Sequence, residues 1–167
     1  MTDKKVLNKI RLFVMDVDGT LTNGKIYMGE DGELMKAFNA KDGYGVKLLT
    51  KNNIIPAIIT GRTSRIVANR CKEIGITELH QGIQDKPVTM KAVMAKYNLS
   101  QEEVAYIGDD LNDASAMELA GVSFAPADCH EQLKPYVDYL LTRNGGDCAV
   151  REAVDIILNE RDGVIWL

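Results

Sequence analysis

An α/β fold, with a parallel sheet flanked by helices, is predicted by three features of this 167-residue chain. Short β-branched runs alternate with longer amphipathic segments from end to end, the pattern of successive βαβ units. Two of the runs finish in clustered aspartates, Asp16-Val17-Asp18-Gly19 and Gly108-Asp109-Asp110-Leu111-Asn112-Asp113. Ligands of open α/β sheets gather outside the carboxyl ends of the strands, which is where those acids would lie. One segment, 24–38, breaks the alternation and reads as an inserted β-hairpin after the first strand.

The first strand, 11–15, belongs to an apolar run interrupted only by Arg11; it leads straight to Asp16 and Asp18, and Gly19-Thr20 turns the chain away. Two short strands, 25–28 and 34–38, flank Gly29-Glu30-Asp31-Gly32-Glu33, whose Asp-Gly dipeptide is a strong hairpin signal. Tyr27, Met28, Met35 and Phe38 give this hairpin more apolar surface than a solvated ribbon carries, which points to a partner face. Helical spacing follows in 42–51 (Val46, Leu48, Leu49), in 64–74 (Ile66, Val67, Cys71, Ile74) and in 86–97 (Val88, Val93, Met94), with strands at 54–59 and 78–81 between them. Ser100 and Glu103 match a capping box just before a strand at 104–107. A helix at 112–120, strands at 122–125 and 139–141 and a helix at 149–158 complete the set. The length suits a single domain, 1–167, with 161–167 as a tail of no assigned place.

The balance of 20 Lys and Arg against 24 Asp and Glu, a net charge of −4, leaves no electrostatic footprint for nucleic acid or an anionic membrane surface. No apolar run is long enough for a membrane span, and the first nine residues lack a signal peptide's apolar stretch, so a cytoplasmic protein is expected. Cys71, Cys129 and Cys148 are odd in number and lack metal-ligand spacing, which fits ordinary thiols in a reducing compartment.

Parallel strands place their ends on one edge, so Asp16, Asp18, Asp109, Asp110 and Asp113 can converge there. Crowded carboxylates need a cation or a shared proton, and oxygen ligands without a His or Cys set favour Mg²⁺. Asp110 and Asp113 are alternatively helix caps. Between the clusters, Ile58-Ile59-Thr60-Gly61-Arg62 ends a strand in a hydroxyl, a glycine and a cation, suited to phosphate oxygens. Lys86 opens a helix against the macrodipole preference for acids, and either balances the carboxylates or is a solvated lysine.

The order Asp16-Val17-Asp18-Gly19-Thr20, Thr60, Lys86 and Gly108-Asp109-Asp110 with Asp113 resembles the four motifs of the haloacid dehalogenase-like phosphatases. The resemblance implies a Rossmannoid sheet and phosphoryl transfer through a covalent aspartyl phosphate. Asp16 would be the nucleophile and Asp18 the general acid, then base; Thr60 and Lys86 would hold the phosphoryl oxygens. Mg²⁺ would be bound by Asp16, the backbone carbonyl of Asp18 and Asp109, with Asp110 and Asp113 orienting those ligands. Positions 19–59 and 61–85, between successive motifs, are too short for a cap domain.

Among capless members the details resemble the tetrameric 3-deoxy-D-manno-octulosonate 8-phosphate (KDO 8-phosphate) phosphatases of lipopolysaccharide precursor synthesis. The segments concerned are 16–24, 41–46, 60–62 and 144–152. That likeness implies a small phosphorylated sugar acid bound by Thr60, Gly61, Arg62, Lys86 and Arg151, and a homotetramer formed through the hairpin. Arg62 would hold the sugar carboxylate, where phosphatases of nine-carbon 2-keto acids carry Glu. Cys148 departs from the glycine common in that loop, which puts the Arg151 contact in question. A nonulosonate 9-phosphate phosphatase, an assembly domain like those fused to sugar-acid cytidylyltransferases, and a receiver-like regulator are the competing readings. The tail is expected to reach across a subunit interface and cover the site.

Overall fold

The computed structural model describes residues 7–167; the reading of the extreme N-terminus bears partly on residues outside that range. Along the chain come β1 (Leu12–Met15), the hairpin strands β2 (Tyr27–Gly29) and β3 (Gly32–Met35), α1 (Ala40–Lys51), β4 (Ile55–Ile59), α2 (Arg65–Ile74) and β5 (Glu78–His80). Then follow α3 (Lys86–Lys96), β6 (Val104–Ile107), α4 (Leu111–Met117), β7 (Val122–Ala125), β8 (Tyr139–Leu140) and α5 (Ala149–Asn159), with 3-10 turns at Gln101–Glu103 and Glu131–Tyr136. Six strands form one sheet in the order β5-β4-β1-β6-β7-β8, every neighbouring pair parallel. β1 is central, between β4 and β6.

Both faces of the sheet are covered, which is why β1 is apolar throughout rather than alternating. Phe13 and Met15 enter a core shared with Val46 and Leu49 of α1, Val67 and Cys71 of α2, and Val150 and Val154 of α5. Leu12 and Val14 enter the opposite core with Met90 and Val93 of α3 and Ala116 and Met117 of α4. Phe124 bridges strands in the first core, edge-on to Phe13 at 6.2 Å and stacked on Tyr139 at 5.1 Å.

The helix ends obey local signals. Asn39, Ser64 and Asp85 cap α1, α2 and α3 by accepting from Lys41 N, Val67 N and Val88 N. Gly75, in the left-handed region, closes α2. Ser100 and Glu103 form the expected capping box on a 3-10 turn. α4 is shorter than its apolar pattern: Leu119 N and Ala120 N donate to Ala116 O and Met117 O, so the last turn tightens from α to 3-10 spacing. The hairpin is also shorter than expected. Its ladder is confined to the tip, Gly29 pairing with Gly32 across a Glu30-Asp31 turn, and the chain from Lys36 onward has left the ladder.

α5 begins on Cys148, whose φ of 73° is left-handed and whose side chain makes no cap. Asp42 of α1 replaces that cap: its buried carboxylate accepts from Arg151 N at 2.8 Å, in the first turn of α5. The tail runs along α1 of its own chain, and its last residue, Leu167, is fully exposed. Asn52 exchanges two hydrogen bonds with the Ile165 backbone, at 2.8 and 3.0 Å, and Tyr44 Oη donates to Trp166 O at 3.3 Å. No helix of the described residues is long and apolar enough to cross a membrane.

Because Asp42 is the remote cap of α5, Asp42→Ala is expected to lower unfolding free energy by about 1–2 kcal/mol. A midpoint shift in urea unfolding at unchanged slope would show it.

Candidate active site

The topology puts the ends of β4, β1 and β6 side by side, and the residue after each is Thr60, Asp16 and Gly108. Asp16 N donates to Ile107 O at 3.0 Å, so the main chain of the first aspartate is still tied to β6. The chain then turns tightly: Thr20 N and Thr22 N both donate to Val17 O. Gly19 has φ +97°, and a Cβ there would lie 2.0 Å from an Asp109 oxygen, so only glycine lets the first loop approach the second acidic cluster. Thr20 Oγ1 closes the contact by donating to Asp109 Oδ1 at 3.1 Å.

Asp110 is the N-cap of α4 and Asp113 completes its capping box. Asp113 is fully buried, and both of its oxygens are engaged. Oδ2 accepts from Asp109 N at 3.1 Å and Asp110 N at 3.4 Å; Oδ1 accepts from Tyr106 Oη at 2.7 Å and Lys86 Nζ at 2.6 Å. Lys86, also buried, reaches on to Asp16 Oδ1 at 3.0 Å. The helix-start lysine thus sits between two carboxylates. Burial works against its charge, but Asp16 and Asp113 outweigh burial and hold the ammonium's pKa above the ordinary lysine value.

Carboxylate oxygens of Asp16, Asp109 and Asp113 lie within 4.8 Å of one another. Burial and the Asp113 charge raise Asp16 from 3.8 to about 6, with Lys86 pulling the other way. Burial, then Asp16 and Asp113, raise Asp109 from 3.8 to about 7. One lysine against three acids leaves negative charge in excess, which a divalent cation on oxygen ligands would neutralise. With Asp113 saturated by its own partners, Asp16 and Asp109 are the side chains free to hold it.

Asp16, Asp18, Thr60, Gly61, Arg62, Asp109, Asp110 and Asn112 line an open cleft of about 180 Å³ above these groups. Arg62 stands half-exposed at its mouth, Nε 3.7 Å from Asp18 Oδ2 and Nη2 3.9 Å from Glu33 Oε1. Lys86 lies beneath, bonded to Asp16. Arg151 is not brought here. Its guanidinium bonds Asp155 at 2.8 Å and lies over the Tyr44 ring at 5.6 Å, beside a separate depression lined by Lys41, Arg143 and Glu152. That depression is larger, about 480 Å³, but its mixed charges do not converge on a point.

A family model described as haloacid dehalogenase-like hydrolase matches residues 74–152, the part that carries Lys86 and the second acidic cluster. The 3-deoxy-D-manno-octulosonate 8-phosphate phosphatase KdsC of Escherichia coli (strain K12) is 47% identical over 149 residues, covering 89% of this chain and 79% of that protein. The chain belongs to the haloacid dehalogenase-like hydrolases. Within the family, crystal structures of two further octulosonate phosphatases superpose closely. That from Yersinia pestis has a TM-score of 0.93 at 44% identity, covering 96% of this chain and 87% of the other. That from Moraxella catarrhalis, in complex with magnesium ion, phosphate ion and KDO, has a TM-score of 0.92 at 39% identity, covering 96% and 92%.

In this hydrolase the sequence motifs find the floor of the cleft but miss its supports. Tyr106 Oη reads as core from its strand position, and Asn112 in the cleft lining carries no motif weight. Lys36, after β3, is buried and ion-paired to Asp18 and Glu33. The one available signal was a lysine inside the apolar stretch Leu34-Met35-Lys36-Ala37-Phe38.

In the cleft, Asp16 and Asp109 have raised pKa values in the folded protein, so the fold binds protons that the unfolded chain has released. Their contribution to stability is present below about pH 4 and is lost as pH rises through about 6 to 7. Thermal melts in chelator are expected to show this loss between pH 4 and 7 as a component that added Mg²⁺ abolishes.

Proposed function

We propose that this chain is a Mg²⁺-dependent phosphatase that hydrolyses KDO 8-phosphate to KDO and inorganic phosphate through an aspartyl phosphate on Asp16. The observation that carries the chemistry is a buried carboxylate, Asp16, held at one oxygen by Lys86 with its other side on a cleft at the strand ends. The similarity to octulosonate phosphatases at 47% identity supports the substrate.

Mg²⁺, held by Asp16, Asp109 and the Asp18 backbone carbonyl, supplies positive charge that offsets the repulsion between a carboxylate and a phosphate dianion. The chain's own groups do the rest. Lys86 fixes the orientation of Asp16, so that its free oxygen attacks phosphorus. Asp18 gives a proton to the departing sugar oxygen and then takes one from the water that attacks the acyl phosphate, regenerating Asp16. Thr60 and Gly61, on the cleft wall, bind the transferring oxygens, and Arg62 at the mouth takes the sugar carboxylate. Asp110 and Asp113 keep the loop after β6 in place.

We further infer a cytoplasmic homotetramer. Met28 is 61% and Leu34 67% exposed, beside exposed Ile26, Tyr27 and Met35, an apolar hairpin face that assembly would cover. The buried free thiols Cys71 and Cys129 suit a reducing compartment.

Phosphate release from KDO 8-phosphate is expected to require Mg²⁺ and to vanish in Asp16→Asn, whereas N-acetylneuraminate 9-phosphate is turned over poorly. Preference for the nine-carbon ester would remove Arg62's assignment. Lys86→Met is expected to cut kcat by about 10²–10³-fold, as the loss of a fixed charge at the reacting centre does elsewhere. Single-turnover phosphate release would measure it.

A further inference from the structure

The base of the hairpin carries two charged groups, Glu33 and Lys36, to which the chemistry above assigns no task. The Lys36 side chain is only 1% exposed, and its ammonium is ion-paired to Asp18 Oδ1 and lies 2.9 Å from Glu33 Oε1. Glu33 accepts in turn from the hydroxyl of Ser64, the N-cap of α2. Arg62 faces the same pair from the solvent side, toward Asp18 Oδ2 and Glu33 Oε1. A buried ammonium is costly unless it is paired and bonded, and a surface hairpin has no need of one. A Glu33–Lys36 pair alone would serve the hairpin without reaching Asp18, 18 positions away.

Lys36 does not line the cleft, whereas Asp18 does. The lysine therefore stands behind the carboxylate and not against a substrate. It engages Oδ1, and the other oxygen, Oδ2, looks toward Arg62 at the cleft mouth.

We propose that Lys36 is a positioning residue for acid–base catalysis: anchored by Glu33 and Ser64, it fixes Oδ1 of Asp18 so that Oδ2 is the oxygen that exchanges protons. The proposal rests on the phosphatase reading above. In the first half-reaction an Asp16 oxygen bonds to phosphorus as the P–O ester bond breaks with its electron pair on the sugar oxygen, which takes the proton from Asp18 Oδ2 and leaves the O–H pair on that oxygen. In the second, Oδ2 takes a proton from water as the water oxygen bonds to phosphorus and Asp16 leaves. The hairpin then has two working sides, an apolar outer face and an inner lysine that sets the acid.

The test is leaving-group dependence in Lys36→Met, measured as kcat/KM with Mg²⁺ on aryl and alkyl phosphates of graded leaving-group acidity and on KDO 8-phosphate. This parameter reports events through departure of the alcohol, where the proton is needed for poor leaving groups and not for activated ones. The variant is expected to stay within about 3-fold of wild type on the most activated aryl ester and to lose about 10- to 100-fold on alkyl and sugar esters. Lys36→Arg, which keeps the charge, is expected to restore most of the loss. An equal fall across the series would make Lys36 a fold-stabilising residue, and a fall on KDO 8-phosphate alone would make it a substrate contact; either overturns the proposal. Should Lys36→Met fail to fold by circular dichroism, Glu33→Gln carries the same test, with a smaller change of slope expected and an unchanged slope overturning the proposal. Absence of turnover by the wild type would instead bring down the phosphatase reading, and the role of Lys36 with it.

Discussion

The ammonium of Lys86, 3.0 Å from Asp16 and 2.6 Å from Asp113, is the interaction about which this edge of the sheet is organised. Three carboxylates within 4.8 Å of one another would not ionise together unaided, and the lysine decides which of them are usable. Asp113 is spent on structure. Its two oxygens receive a lysine, a tyrosine and two backbone N–H groups, so it serves as the fixed negative pole that makes a buried lysine tolerable. Asp16 and Asp109 keep lone pairs toward the cleft and carry raised pKa values, because burial and their neighbouring carboxylates oppose a second charge.

This electrostatic arrangement requires close backbone packing. Gly19 approaches Asp109 where a Cβ would lie 2.0 Å from a carboxylate oxygen, and Gly145 approaches Gly19 O, where a Cβ would lie at 1.8 Å. The glycine pair 145–146 therefore props the loop after β1 from behind, with Gly146 N donating to Thr20 O. Their contact is with backbone, and Arg151 is turned outward to Asp155 and Tyr44.

The hairpin supplies none of the residues that line the cleft, yet its inner side reaches Asp18. Its outer residues are apolar and exposed, while on its inner side Lys36 is buried and Glu33 half-buried, beside Asp18 and Ser64. One short ribbon so joins an exposed apolar face and the carboxylate of Asp18.

The parallel sheet, the helix starts and the two acidic strand ends were legible along the chain. Each rests on periodicity, caps or turn residues within a few positions. Strand boundaries agree within a residue for the sheet, and the Ser100 and Glu103 capping box is present on its 3-10 turn. What the linear pattern could not reveal is the pairing of groups far apart in it: Lys86 with Asp113, Lys36 with Asp18, Asp42 with the start of α5, and the tail with Asn52. Residue type told which of these groups carry charge or hydrogen bonds, and nothing local told with whom. Those partners are set by strand order and by how closely glycine lets the loops meet, because a buried charge takes the partner that the packed backbone brings within about 3 Å.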